Sequence, residues 1–374
     1  MKITQIQTFP IQPAWLLVRV DTDEGITGWG ECLPDKALVQ AAAVHSFDHY
    51  LLGEDPRRII HHWQSMYRGA FWRGNMTTTA AMSGLEQAMW DILGKWLGVP
   101  VYQLLGGAVR DRIKVYAHAH GANSDEMVAK AKTAIAAGYR AVKNAPLRQT
   151  HLVDSRRAID AAIANVAALR EAIGPDIDLA LDFHGMASPA MSVILEQELR
   201  PYHILFIEEP VLPENVAALA QIAPQFKTPI ATGERLITRW GFREVLEKGA
   251  ATILQPDPCV CGGIWEARQI GSMAEVYYAA LAPHGPYGPV NLAACLQIAA
   301  CTPNFLTQEA ADLNRLGGGL LQEAFQVKDG YIDLPTKPGL GIEINEAYLA
   351  AKPLGAQRDP GRWYHPDDGS VADW

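Results

Sequence analysis

Apolar and polar positions change rhythm once along the chain, near residue 110. Before that point the pattern is strand-like and then helical. Residues Ile3 to Pro10 alternate, and Trp15–Val20 and Ile26–Gly30 flank Asp23-Glu24-Gly25, a hairpin turn signal. From Thr79 to Leu97, apolar Met82, Leu85, Met89, Ile92, Leu93 and Trp96 recur at helical spacing until Gly98 and Pro100 end the run. Residues 1–112 therefore read as an α+β unit. After it come eight short apolar runs: Val115–Ala119, Ala141–Val142, Leu179–Phe183, Ile204–Ile207, Pro229–Ala231, Ala251–Leu254, Tyr278–Ala282 and Phe305–Leu306. Most are separated by helical stretches such as Arg157–Ile173, with Ile159, Ala162, Ile163, Val166, Leu169 and Ile173 on one face. Buried-type strands alternating with helices predict parallel βαβ units, and a repeat of about 25–30 residues is met most economically by closure into a TIM-type barrel over 113–325. The tail, 326–374, returns to strand and loop signals and is expected to pack on the N-terminal unit.

Composition narrows the functions open to such a fold. The 374 residues carry a net charge of −9, which disfavours nucleic acid as a partner. An anionic substrate then needs a local positive centre, which a metal ion supplies. The five cysteines (Cys32, Cys259, Cys261, Cys295, Cys301) are odd in number and sparse, so a disulfide framework is not expected, and Cys259-x-Cys261 lacks the spacing of a zinc knuckle. They read as core or loop thiols. The N-terminus has no apolar leader region and no apolar run reaches the ~20 residues of a membrane span. The expectation is a cytoplasmic protein without membrane contacts.

Polar residues follow directly on several of the apolar runs: Asp182, Glu208 with Glu209, Glu234, Asp257, His284 and Glu309. In a β/α barrel the carboxyl ends of the strands converge on one mouth, where active sites lie. Asp182, Glu208 and Glu234 are spaced by 26 residues each time, one βα unit per step, which aims three carboxylates from adjacent strands at one point. Three such groups repel one another unless a cation joins them, and oxygen ligands without cysteine suit Mg²⁺ better than Zn²⁺.

The ordered motifs LDFHG, FIEEP, ATGE, LQPD, APHGPYGP and TQE, together with Leu85–Lys95 (LEQAMWDILGK), resemble the mandelate racemase/muconate lactonizing group of the enolase superfamily. The resemblance runs through DEGITGWGE, YLLGEDP, TKPGLG and the ending HPDDGSVADW, and is nearest to the galactonate dehydratases of that group. It implies a (β/α)7β barrel under an N-terminal capping domain. The activity implied is loss of water from a sugar acid, galactonate first among them, to a 2-keto-3-deoxy acid. Asp182, Glu208 and Glu234 would hold Mg²⁺, which would bind the substrate carboxylate and stabilise the enediolate. Lys- and His-based proton abstraction beside Mg²⁺ is the general pattern of that superfamily. His284 would be the general base, oriented by Asp257. His184 would protonate the departing hydroxyl, since two residues past Asp182 it should share that residue's face. Glu309 would hydrogen-bond the developing oxyanion, and Glu209 would be structural. A homo-oligomer, often an octamer in this family, is also implied.

The chain departs from the pattern in two places. Racemases of the group carry Lys-x-Lys on the second barrel strand, and the dehydratases Lys-x-Asn, whereas this chain reads Lys143-Asn144-Ala145. LDFHG is followed by Met186 in place of Arg. Ala145 argues against a two-base racemase or epimerase. That function and non-catalytic binding of a sugar acid or metal are the alternatives to dehydration. His118 and His120 read as a solvated or supporting pair at the end of the first barrel strand. His61, His62, His203 and His365 read as surface residues. Trp72 and Arg73 fall in a cap loop, with Arg73 free to meet substrate or pair with the barrel. Gly317-Gly318-Gly319 has neither the strand nor the Lys-Ser/Thr of a phosphate loop. Tyr287-Gly288 reads as a turn that positions His284.

Overall fold

The computed structural model of the protein describes residues 1–311, 316–354, 363–365 and 367–373. Pro366 and Trp374 of the terminal motif lie outside them.

The N-terminal alternation becomes an antiparallel sheet of β1 (Ile3–Ile11), β2 (Trp15–Thr22) and β3 (Thr27–Cys32), with β2 central. Its buried face meets the helix Met76–Leu97, capped by the Asn75 side chain on Thr78 N at 2.9 Å and ended by Gly98 in the left-handed region (φ 72°). Sheet and helix touch backbone to backbone: a Cβ on Gly28 would lie 2.1 Å from Ala88 O, and one on Gly30 2.0 Å from Gly84 O. Larger residues at these two hairpin positions would force the layers apart.

Eight parallel strands follow: β4 (Arg112–His118), β5 (Ala141–Asn144), β6 (Asp178–Asp182), β7 (Ile204–Glu208), β8 (Ile230–Thr232), β9 (Ile253–Leu254), β10 (Ala280–Leu281) and β11 (Gln308–Glu309). Each of the first seven is followed by a helix, and the sheet order β10-β9-β8-β7-β6-β5-β4-β11 closes through a parallel bridge from Leu281 to Phe305. This is the (β/α)7β barrel expected. One boundary differs from expectation. The eighth strand lies at Gln308–Glu309, three residues later than the apolar pair Phe305-Leu306, because Phe305 bridges Leu281 before the chain crosses to pair Glu309 with Tyr116 on β4. A further strand, β12 (Tyr331–Asp333), pairs antiparallel with β4. Beyond it, Leu340 N donates to Asp91 Oδ1 (2.8 Å) on the cap helix, and Leu354 N donates to Pro10 O (2.9 Å) on β1.

Inside the barrel, Tyr116, Ala141, Ala180, Phe206, Ala231, Ile253 and Ala282 form one packed layer, with Tyr116 and Phe206 edge-on at 6.3 Å. Strand side chains alternate, so the next inward positions are two residues on: His118, Lys143, Asp182, Glu208, Gly233, Gln255 and His284. The period of two that builds the core also lifts the polar residues to the mouth.

All five cysteines are free and buried. Two histidines are not on the surface. His62 is fully buried, with Tyr50 Oη 2.9 Å from Nδ1 and Asp55 O 2.8 Å from Nε2, and His365 is buried with its ring stacked 3.8 Å from that of His151. Neither has a sequence neighbour that marks its partner, which comes from elsewhere in the fold. His61 and His203 are exposed.

Candidate active site

Asp182 and Glu208 are register partners at the ends of β6 and β7, and Glu234 follows β8 by two residues, so the 26-residue spacing corresponds to neighbouring strand ends. Asp182 and Glu208 are buried and Glu234 is partly buried. His284, just past β10, has Nδ1 2.7 Å from Asp257 Oδ2 and Nε2 2.8 Å from Glu234 Oε2. Glu309 lies beside it, with its Oε2 3.7 Å from His284 Nε2 and accepting from Gly285 N at 2.8 Å. His184 stands on the other side, with its Nε2 3.1 Å from Asp182 Oδ2. It arrives there by a route other than strand alternation. The strand stops at Asp182, and His184 takes a left-handed conformation (φ 49°) in which its own N–H donates to Asp182 Oδ1 at 2.9 Å. Glu209, also at positive φ (38°), turns away to an ion pair with Arg235.

Three residues join this group that the site motifs leave unassigned. Lys143 is fully buried on β5, with Nζ 2.8 Å from Glu208, 3.0 Å from Glu309 and 3.2 Å from Asp182. The Lys-x-Asn comparison attends to the following positions, yet Lys143 itself points inward. Asn144 faces the other way and donates to Ala119 O (2.8 Å), so it does not replace the missing Asn. His118 is no solvated residue: its Nε2 makes a short hydrogen bond with Glu309, and its ring lies 4.5 Å from His120, which in turn is 6.3 Å from the His184 ring. Gln255 is buried under the mouth with neither amide atom hydrogen-bonded. Met186 is half-buried, its carbonyl accepting from the Thr150 hydroxyl. Trp72 and Arg73 are exposed; the Arg73 guanidinium lies 5.9 Å from the Tyr67 ring and makes no ion pair among the described residues.

Burial and mutual charge set the protonation of the cluster. Burial pushes Glu208 up to about 8, with the Asp182 charge adding to it and Lys143 opposing. Burial pulls His184 down, but Asp182 outweighs it and leaves the imidazole at about 9. His284 is likewise pulled down by burial and raised well above its ordinary value by Glu234 and Glu309. Glu309 is held well below the usual carboxylate range, since Lys143, His284 and His118 overcome its burial. Its two oxygens face Lys143, His118 and the Gly285 amide. His120, half-buried and beside His118 and Lys143, is pushed down to about 2 and stays neutral.

Residues 4–106 match the family Mandelate racemase / muconate lactonizing enzyme, N-terminal domain, and residues 126–348 match Enolase C-terminal domain-like. The chain belongs to the enolase superfamily. It is 45% identical to a protein named D-galactonate dehydratase from Ralstonia nicotianae and 44% identical to one of the same name from Ralstonia pickettii, both over the full length of both chains. The crystal structure of a mandelate racemase/muconate lactonizing enzyme from Sulfitobacter superposes with a TM-score of 0.88 at 36% identity, covering 96% of this chain and 97% of that one.

Enolase superfamily members bind a divalent metal, and the residues of this chain fit one. Glu208, Glu234 and His284 each offer a ligand atom within 4.8 Å of the others. Glu208 Oε1 is buried with no hydrogen-bond partner among the described residues, a cost that a bound cation would remove. Asp182, the register partner of Glu208, is not in that trio, though its buried Oδ2, like Glu208 Oε1, has no hydrogen-bond partner among the described residues.

Proposed function

We propose that the protein is a Mg²⁺-dependent dehydratase of sugar acids, acting on D-galactonate to give 2-keto-3-deoxy-galactonate. The observation that carries this reading is the pair of imidazoles on opposite sides of the carboxylate cluster: His284 braced by Asp257, and His184 braced by Asp182. One removes the proton at C2 and the other delivers a proton to the hydroxyl leaving C3, so a single pocket completes β-elimination. Full-length similarity to proteins named D-galactonate dehydratase supports the choice of acid.

Asp182, Glu208 and Glu234 are the proposed metal ligands, three oxygen donors suited to Mg²⁺. The ion supplies positive charge at the substrate carboxylate, which makes the neighbouring C–H bond more acidic. The chain's own residues do the rest. Asp257 fixes the His284 ring through Nδ1, and the charge of a cation held by Glu234 would offset the carboxylates that raise the imidazole, leaving Nε2 free to take the C2 proton. Lys143 and the Gly285 amide hold Glu309 against the mouth, where it meets the substrate carboxylate region, with Lys143 offsetting its charge. His184, 3.1 Å from Asp182 and across the cluster from His284, is placed to deliver the proton to the leaving hydroxyl. The reaction proposed needs no membrane or nucleic acid; among the described residues no helix is long and apolar enough to cross a membrane.

Incubating the purified protein with Mg²⁺ and a panel of aldonates and aldarates, and scoring 2-keto-3-deoxy product, tests the reading. Product from galactonate supports it in full. Product from another acid alone retains the chemistry and moves the substrate. Wash-in of deuterium at C2 in D₂O without loss of water would instead mark a racemase or epimerase.

A further inference from the structure

The carboxylate of Glu31 is fully buried, near the end of β3 in the cap sheet, and it reaches out of the cap into the barrel. It accepts from Gly288 N at 2.6 Å and from Asn291 N at 2.8 Å, at the start of the helix Pro289–Cys301 that follows the His284 loop. Amides in the first turn of a helix have no partner within it, and an anion there is favoured by the helix dipole. The approach is close: a Cβ on Gly288 would lie 2.6 Å from Glu31 Oε1. From the same helical turn, Asn291 Nδ2 lies 3.3 Å from Asp257 Oδ1 and 2.9 Å from Cys259 Sγ. Asp257 holds His284 with its other oxygen. The backbone of Glu31 is itself clamped by Gln87, in both directions at 3.0 and 3.1 Å, and the Gln87 amide also donates to Pro258 O at 2.8 Å, next to Asp257.

We infer that Glu31 is a positioning residue for proton abstraction: this cap-domain carboxylate seats Asn291, and through Asn291 sets the aim of the Asp257–His284 pair. The inference rests on His284 being the base of the proposed reaction. Without the Glu31 charge the helix start loses its anchor, the Asn291 amide moves off Asp257, and the imidazole turns. The carboxylate contacts that carry the proposal run from Glu31 to the helix start, and Glu31→Gln is expected to leave Mg²⁺ affinity and KM in place.

Glu86 provides the matched control. It is also a fully buried cap carboxylate at a helix start, accepting from Ile264 N (2.7 Å) and Trp265 N (2.9 Å), but that helix does not carry the base or its partners. Glu31→Gln and Glu86→Gln would be compared with wild type in Mg²⁺ and galactonate deuterated at C2, together with the low-field Nδ1–H resonance of His284 in ¹⁵N-histidine-labelled protein, assigned by its loss in His284→Asn. Glu31→Gln is expected to lower kcat about 10²-fold, as a small misalignment of a catalytic group does, with KM unchanged, a larger deuterium isotope effect and a shifted resonance. Glu86→Gln is expected to lower the melting temperature only. An unshifted His284 resonance in Glu31→Gln, or equal kcat in the two variants, overturns the proposal. Asn291→Ala should reproduce the Glu31→Gln signature and decides the matter if Glu31→Gln does not fold; a wild-type resonance there also overturns it. If wild type does not dehydrate galactonate, the dehydratase reading fails, while the resonance still decides whether Glu31 sets the base.

Discussion

At the scale of single residues, the mouth of the barrel is a balance of charges in which each group has a separable part. Replacing His284 with Asn should reduce turnover by about 10²–10⁴-fold, the usual worth of a general base, while Mg²⁺ binding by calorimetry stays intact. Because His284 Nε2 also falls within ligand distance of Glu208 and Glu234, loss of Mg²⁺ binding would instead make it a ligand. Replacing His184 with Asn should stop water loss but leave exchange of the C2 proton with D₂O alive; equal loss of both would remove it from the acid role. Lys143 contributes chiefly to stability. It is the ammonium that faces Asp182, Glu208 and Glu309 together. Lys143→Met leaves buried carboxylates uncompensated, at a cost of about 3–5 kcal/mol. Thermal melts should show a large deficit without Mg²⁺ and a smaller one with it, since the added cation takes over part of the neutralisation.

At the scale of elements, the period of two explains both what could be read from the chain and what could not. Ala180 and Asp182, Phe206 and Glu208, and Ala282 and His284 are inward pairs, so apolar runs ending in an acid or a histidine announced their strands and their site together. Lys143 obeys the same rule after Ala141, but a lysine in a short strand reads as an exposed edge until its three acidic partners are known, and those come from three other strands. His118 read only as solvated or supporting for the same reason: the partner that decides for the supporting role, Glu309, lies 191 residues away. The eighth strand was misplaced because closure of the barrel, a long-range pairing, outweighs local apolarity at Phe305. An element-scale test lies in the helix Pro189–Leu199, where buried Glu196 binds Arg200 and accepts from Lys227 N and Thr228 N ahead of β8. Burial raises its pKa, yet Arg200 and the two amides outweigh that and lower it overall. Its folded pKa therefore lies below the unfolded value of about 4.3, so its stabilisation is present above that pH and lost as pH falls through the folded value. Glu196→Gln should melt several degrees below wild type at pH 7, and the gap should narrow as the pH approaches 3.

At the scale of the whole molecule, the cap is joined to the barrel and to the tail by buried polar groups. Glu86, Gln87 and Asp91, on one helix of the cap, bind the backbone at Ile264, Pro258 and Leu340 respectively. The motif Leu85–Lys95 thus carries a joint as well as a hydrophobic stripe, and periodicity alone could show only the stripe. The same interlocking gives the free thiols a use. Cys32 lies in the cap, Cys259, Cys261 and Cys295 lie behind the base, and Cys301 ends the helix that Glu31 anchors. Burial pushes all five thiols up, so none is a ready nucleophile. The folded protein should therefore be nearly silent to a colorimetric disulfide reagent. Its slow colour development, followed with and without Mg²⁺, would time the opening of the molecule with no introduced label: a common rate for all five groups would mean that cap and barrel come apart in one event, and an early fraction would mean that one of them lets go first.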